Sequence, residues 1–242
     1  MTAIAFYIGP VEITGFGLMV GVGALAGLWV LQQEAEARGL PPNATNAGVA
    51  GVVGGLIGAK VLYVAEHLGR EPAVAGLLSR GGMSWFGGVA GGALLALAIV
   101  RALRLPLWPL LAAGMPALAL GQAFGRVGCF LVGDDYGRPT DLPWGVAFPE
   151  GLPPTTVRVH PTQLYEALFL AALAALLWHG GRRLAADRKV VAAYCVLAGA
   201  FRFALEFIRI NERVALGMSL AQWGSLALVA VGAVLAVVEG RR

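Results

Sequence analysis

Seven stretches of this chain, each close to the ~20 apolar residues that a helix needs to cross a bilayer, are almost free of charge. They run roughly Ile13–Leu31, Ala47–Leu68, Trp85–Leu103, Leu107–Phe124, Thr162–Trp178, Val190–Ile208 and Met218–Val238. Hydrocarbon offers no partner for a backbone N–H or C=O, so an open chain can occupy it only as a helix that bonds to itself. Of 242 residues, 58% are hydrophobic and 13% are charged, against ~25% charged in an ordinary soluble domain. That balance excludes a disordered chain, a secreted disulfide scaffold and a soluble enzyme. The 35 glycines follow no G-X-Y period, which excludes collagen, and they suit close helix packing in a membrane. The expectation is an all-α, polytopic membrane protein with about seven transmembrane helices and an extracytoplasmic loop region, forming one domain over residues 1–242. The fourth stretch is the weakest, because Pro106, Pro109 and Pro116 kink or delay a helix.

The formal net charge is +4, but the basic residues are scattered between apolar runs. No basic stretch interleaved with aromatics is present, which argues against nucleic acid and points to membrane lipids. Cys129 and Cys195 are far apart and form no metal-ligand spacing. No Lys or Arg precedes Arg38, so the first stretch reads as a span rather than a secretory signal. With seven spans the termini lie on opposite sides. Lys and Arg are in slight excess on the side that holds Arg182, Arg183, Arg188 and Lys189. The positive-inside rule makes that side cytoplasmic, with the N-terminus outside and the C-terminus inside.

The longest polar interruption is Gly125–Pro161, with Asp134, Asp135, Asp141 and Glu150. It is too long for an idle connector, and it faces the same side as the interruption at 69–82 and the one at Asn211–Gly217. A site opening outward is expected there. Arg202 and Glu206 lie four apart inside an apolar run, on one helix face. A charge in that position costs at least ~2.5 kcal/mol, so it marks either a functional site or a structural ion pair. Arg209 follows near the same face. Arg126 stands between Gly125 and Gly128; the glycines allow a bend and close approach of a ligand, and a guanidinium there is suited to bidentate binding of phosphate. Arg126 and Arg202 together suggest two guanidiniums converging on a phospholipid phosphodiester. Glu166 sits early in an apolar helix and needs a partner, for which a nearby Arg is the natural choice. His160 precedes Pro161 and is either a capping histidine or part of the site. Asp134 and Asp135 are solvated loop acids or partners of the arginines. Lys60 and Tyr63 close a Gly-rich span, and Lys60 either snorkels or reaches lipid headgroups.

Residues 125–140, GRVGCFLVGDDYGRPT, followed by Pro143-Trp-Gly-Val-Ala-Phe-Pro149, resemble the signature loop of bacterial prolipoprotein diacylglyceryl transferases. His160-Pro-Thr-Gln-Leu-Tyr-Glu166, Phe201-Arg-Phe-Ala-Leu-Glu-Phe-Ile-Arg209, Met218-Ser-Leu-Ala-Gln-Trp223 and Gly82-Met-Ser-Trp-Phe-Gly-Gly88 are similar to further motifs of that family, in order along the chain. The resemblance implies seven membrane helices in the bacterial cytoplasmic membrane, N-terminus outside and C-terminus cytoplasmic. It implies transfer of the diacylglyceryl group of phosphatidylglycerol to the cysteine thiol of a preprolipoprotein lipobox peptide, with glycerol 1-phosphate released and no metal or organic cofactor. It implies Arg126 and Arg202 as the essential arginines, Glu206 as the acid one turn later, and Asp134 where the family has Glu. Catalytic roles are then expected for Arg126, Arg202, Glu206, Asp134 and His160, and substrate contacts for Lys60, Tyr63, Gly125, Gly128, Tyr165, Glu166 and Arg209.

Five positions depart from the family pattern. Phe86 stands where a His is usual, Cys129 and Val132 where Asn is usual, and Phe16 and Ala198 where Tyr is usual. Phe86 cannot accept a proton. A thiol ionises near pH ~8.5 and is partly ionised already at neutral pH, so His160, Asp134 or Glu206 is enough to act as the base. The alternative is a diverged, non-catalytic relative that binds phospholipid or a lipoprotein precursor.

Overall fold

The computed structural model describes residues 4–8, 11–68, 82–184 and 186–238. Its helices are α1 (Gly15–Ala37), α2 (Thr45–Glu66), α3 (Trp85–Ala102), α4 (Leu107–Val132), α5 (Thr162–Gly180), α6 (Asp187–Leu205) and α7 (Leu220–Val237). Each of the seven apolar stretches is a helix. Six are long and apolar enough to cross a membrane. The exception, α6, carries Asp187, Arg188 and Lys189 at one end and Arg202 at the other. The protein is an all-α, multi-pass membrane protein.

The chain divides into two compact units, Leu31–Ala113 and Met1–Val30 with Gly114–Arg242. In the first, α2 and α3 pack backbone against backbone. A methyl group added at Gly54 would lie 2.5 Å from the Gly91 carbonyl, and Gly58 and Gly87 are closer still to each other's carbonyls. Such contact gains dispersion energy where no hydrophobic force acts between helices. At the end of this pair Ser84 N–H donates to Ala59 O at 2.9 Å, and Ser84 Oγ donates to Glu66 Oε1 at 3.3 Å.

In the second unit, the first part of α1 lies against α4 through small residues. A methyl at Gly27 would meet Ala117 O at 3.0 Å, and one at Gly128 would meet Phe16 at 3.0 Å and Met19 at 3.3 Å. Helices α6 and α7 approach equally closely, with Gly199 against Ser225 O and Gly232 against Ala192 O, both 2.9 Å from an added methyl. Aromatic pairs tie α5 to its neighbours: Trp29 and Trp178 edge to face at 5.3 Å, Phe169 and Phe201 stacked at 3.9 Å. Tyr194 on α6 donates to Gln122 Oε1 on α4 at 2.7 Å.

Two differences from the sequence expectation bear on the site. The fourth stretch does not stop at Phe124. Helix α4 continues past Arg126 to Val132; Pro116 inside it removes one backbone bond while the flanking turns keep theirs. Arg126, Gly125 and Gly128 are therefore helical and not in a bend, and Gly128 serves the approach of α1. The connection that follows begins at Gly133 and has structure of its own. Strands β3 (Val146–Phe148) and β4 (Thr155–Val159) form an antiparallel hairpin with Val146 opposite Val159. It closes over Tyr136, Phe148 and Val159, with Phe130 and Val146 packed against them. A second hairpin, β1 (Ile4–Ile8) with β2 (Val11–Thr14), precedes α1. The interruption expected at 69–82 lies outside the described residues except for Gly82, as do Arg70 and Arg80.

Candidate active site

The ends of three helices in the second unit adjoin the loop after α4. Arg126 is in the last turns of α4, Glu166 in the second turn of α5, Arg202 in the last turn of α6, and Glu206 directly after it. An acid near a helix N-terminus and an arginine near a C-terminus both suit the helix dipole. The segment 135–138 crosses beside 208–209: Arg138 N–H donates to Ile208 O at 2.9 Å, and a side chain at Gly137 would collide with that carbonyl at 2.6 Å.

These elements bring six side chains into a closed ring of alternating charge. Arg126 Nε is 3.0 Å from Glu166 Oε2, and Glu166 Oε1 is 3.9 Å from Arg202 Nε. Arg202 Nη1 donates to Glu206 Oε2 at 2.5 Å, and that oxygen is 3.6 Å from Arg209 Nε. Arg209 Nη2 is 2.6 Å from Asp135 Oδ1, and Asp135 Oδ2 closes the ring on Arg126 Nη1 at 2.9 Å. Arg126 and Arg202, predicted to converge, do so on the two oxygens of one carboxylate.

The ring has a closed side and an open side. Glu206 is fully buried and Arg209 and Glu166 nearly so, while the side chains of Arg126 and Arg202 are 23% and 20% exposed. Glu206 is held further by Asn211 Nδ2 and Ser219 Oγ, each donating to Oε1 at 2.7 Å. Ser219 is also the N-cap of α7, in a capping box with Gln222. Arg213 donates to Gln222 Oε1 at 2.5 Å. Buried charge is tolerable because each group has partners of opposite sign.

Asp135, not Asp134, is the loop acid of the ring. Its backbone is left-handed (φ 62°), and Thr162 Oγ1 donates to its carbonyl at 2.7 Å. Burial works to raise the Asp135 carboxyl, but Arg209 and Arg126 outweigh it and hold it below the usual carboxylate range. Burial, then the charge of Asp135, pushes Asp134 up, and its Oδ1 is buried without a hydrogen bond. Sequence reasoning named both acids but carried only Asp134 forward as a site residue. Cys129 Sγ, Asp134 and Asp135 place three possible metal-ligand atoms within 4.8 Å of one another. Asp135 already spends both oxygens on arginines, and a cation beside two guanidiniums would be repelled. Both cysteines are free thiols.

The remaining expected residues lie around or apart from the ring. The Tyr165 hydroxyl oxygen accepts from Trp144 Nε1 at 2.8 Å and lies 3.3 Å from His160 Nδ1. A methyl at Gly125 would meet nothing within 4 Å. Lys60 and Tyr63 belong to the other unit, where Lys60 Nζ is 3.5 Å from Gly82 O and 5.7 Å from the Tyr63 ring centroid.

The sequence profile of prolipoprotein diacylglyceryl transferases matches residues 3–238. The chain belongs to that family. Among its relatives, the phosphatidylglycerol–prolipoprotein diacylglyceryl transferase of Clostridium tetani is 32% identical, over 96% of this chain and 95% of its own length. Those of Bordetella bronchiseptica and Cupriavidus metallidurans are 35% and 33% identical, over 98% and 99% of this chain and 95% and 93% of theirs. Of the positions where the resemblance implies a polar residue, Phe16 packs at Gly128. Cys129 Sγ lies 4.0 Å from Arg126 Nη1. Val132 is buried, Ala198 is one turn before Arg202 on α6, and Phe86 meets Trp85 edge to face at 5.2 Å.

Proposed function

We propose that this chain transfers the diacylglyceryl group of phosphatidylglycerol to the cysteine thiol of a preprolipoprotein lipobox, releasing glycerol 1-phosphate. On this reading, residues 1–242 act as one transmembrane transferase domain in the bacterial cytoplasmic membrane, with the N-terminus and the ring outside and the C-terminus in the cytoplasm. The supporting observation is the open side of the ring. Arg126 and Arg202 are its two partly exposed guanidiniums, and they face one carboxylate, as they would face the non-bridging oxygens of a phosphodiester. Guanidinium forks match phosphate oxygens in geometry and charge, and donors fixed in place stabilise the negative charge that builds on the departing phosphate. Arg209, Glu206 and Asp135 form the wall that fixes them. Tyr165 and His160 lie beside the ring as polar contacts for the glycerol headgroup.

The test is direct. The purified chain, in vesicles containing phosphatidylglycerol, is mixed with a synthetic lipobox peptide, and the peptide mass is read for a diacylglyceryl adduct. The unsubstituted chain is expected to form it, and Arg126→Ala or Arg202→Ala to lose at least about 100-fold in rate, the usual cost of removing one preorganised donor. Undiminished transfer by both variants would overturn the assignment.

A further inference from the structure

The ring holds three positive and three negative side chains. A bound phosphodiester adds one negative charge, and its cleavage to a phosphate monoester adds most of a second. The acceptor thiol must also give up a proton. All three demands are met if one ring carboxylate takes that proton.

The geometry singles out one of the three. Glu206 is fixed by Arg202, Asn211 and Ser219 on the closed side, and Asp135 is bonded through both oxygens. Among the described residues, Glu166 is paired with the two guanidiniums of the open side. Its Oε2 faces Arg126 at 3.0 Å but makes no aligned hydrogen bond, although it is buried. Glu166 therefore occupies the place of a substrate anion while holding it loosely. The groups that face it are Arg126 from α4 and Arg202 from α6, with the Tyr194 hydroxyl of α6 within electrostatic reach. Asp135, Glu206 and Arg209 act on it through the arginines.

We propose that Glu166 is the general base of the transfer, displaced from Arg126 and Arg202 by the incoming phosphodiester and then protonated by the acceptor thiol. The step rests on the transferase reading above, and it balances. The S–H proton moves to the Glu166 carboxylate. The sulfur electron pair forms a C–S bond to the glycerol carbon that carries the phosphate. The C–O bond at that carbon breaks, and its electron pair leaves on the oxygen of glycerol 1-phosphate. A neutral Glu166 no longer competes for the arginines, so both remain on the phosphate as its charge grows. The proton leaves with the product or to water, and the carboxylate returns to the arginines. This arrangement does without a histidine at position 86.

Glu166→Gln separates this role from a structural one. In the vesicle assay the variant should lose about 10²- to 10⁴-fold in kcat, the usual contribution of a base. Its binding of short-chain phosphatidylglycerol, measured on the same preparation, should be unchanged or tighter, because the amide leaves the guanidiniums free. Its residual transfer should rise about tenfold per pH unit up to about pH 8.5, as the thiol ionises unaided, whereas the unsubstituted chain should respond much less. Glu166→Asp should recover part of the rate. Weaker lipid binding with no rescue by pH would overturn the proposal, as would an undiminished kcat. If the unsubstituted chain forms no adduct, the transferase reading falls and this inference with it; if it does and Glu166→Gln matches it, only the inference falls.

Discussion

The glycine-lined pair α2 and α3 and the charged ring solve the same problem by opposite means. Both bring separate stretches of a membrane protein together, and apolar surface within lipid gains nothing from leaving it. The helix pair removes side chains until backbones touch, as Gly54 does against the Gly91 carbonyl. The ring keeps long side chains and cancels their charges in sequence. The first device tolerates no added atom. In the second, each charge removed leaves its two neighbours with one partner fewer. The helix contact is made by uncharged groups; on the proposed function, the ring responds to both pH and phosphate.

Breaking each device in its own way tests the contrast. The largest effect is expected from Arg209→Ala, which takes from the buried Glu206 and the exposed Asp135 the cation they share. Loss of one partner of a buried pair costs about 3–5 kcal/mol, so thermal unfolding in detergent should shift strongly downward. Gly54→Ala should cost less, about 1–3 kcal/mol for overpacking. Glu206→Gln combined with Arg209→Gln should be milder than Arg209→Ala alone, since it removes opposite charges together. A double variant as damaging as Arg209→Ala would show that the ring is held by shape and not by charge balance.

A finer division runs through the ring's own loop. Asp135 is held below the ordinary carboxylate range. Its ionised form therefore favours the folded state above its unfolded value of ~3.9, and this support is lost as pH falls through the lower, folded value. Asp134 is pushed upward, so its ionisation costs the folded state stability at neutral pH, and the cost disappears as pH falls through the raised folded value. Asp135→Asn should lower the unfolding temperature at pH 7, and Asp134→Asn should raise it. At a pH low enough to protonate both acids the two variants should converge on the unsubstituted chain. Equal shifts of one sign at pH 7 would remove the distinction between the neighbours.

What the sequence revealed follows from the range over which each feature is determined. Apolar length is local, and all seven helices were legible. The pairing of Arg202 with Glu206 was legible too, because four residues is one helical turn. The need of Glu166 for an arginine was legible, though not that it bridges two. Helix α4 was drawn too short because Gly125 and Arg126 end the uncharged run locally, whereas the packing of α4 against α1 at Gly128 lies beyond that point, within the helix. Strand β3 has three residues, too few for a period to show, and it exists because Phe148 finds Tyr136 and Phe130. The choice of Asp135 over Asp134 accompanies a left-handed residue and depends on Arg209 arriving from the segment after α6, and neither is visible in an Asp-Asp pair.

The smallest expected effect sharpens the comparison most locally, because it concerns neutral groups beside the charged ring. Trp144 Nε1 is a donor only, so the Tyr165 oxygen accepts from it at 2.8 Å and the Tyr165 proton is free to point at His160 Nδ1, 3.3 Å away. The expected arrangement has Nδ1 accepting from the Tyr165 hydroxyl, with the proton of a neutral His160 on Nε2. Tyr165→Phe removes both contacts while the ring of six keeps all its charges. The cost should be about 0.5–1.5 kcal/mol, that of an ordinary hydrogen bond, and transfer should fall by less than tenfold. Nitrogen-15 shifts of the His160 ring should show Nε2 protonated in the unsubstituted chain and a mixture of tautomers in the variant. A single unchanged tautomer would mean that Tyr165 does not set it, and a loss of transfer as large as that of Arg126→Ala would mean that the neutral cluster and the charged ring work as one unit.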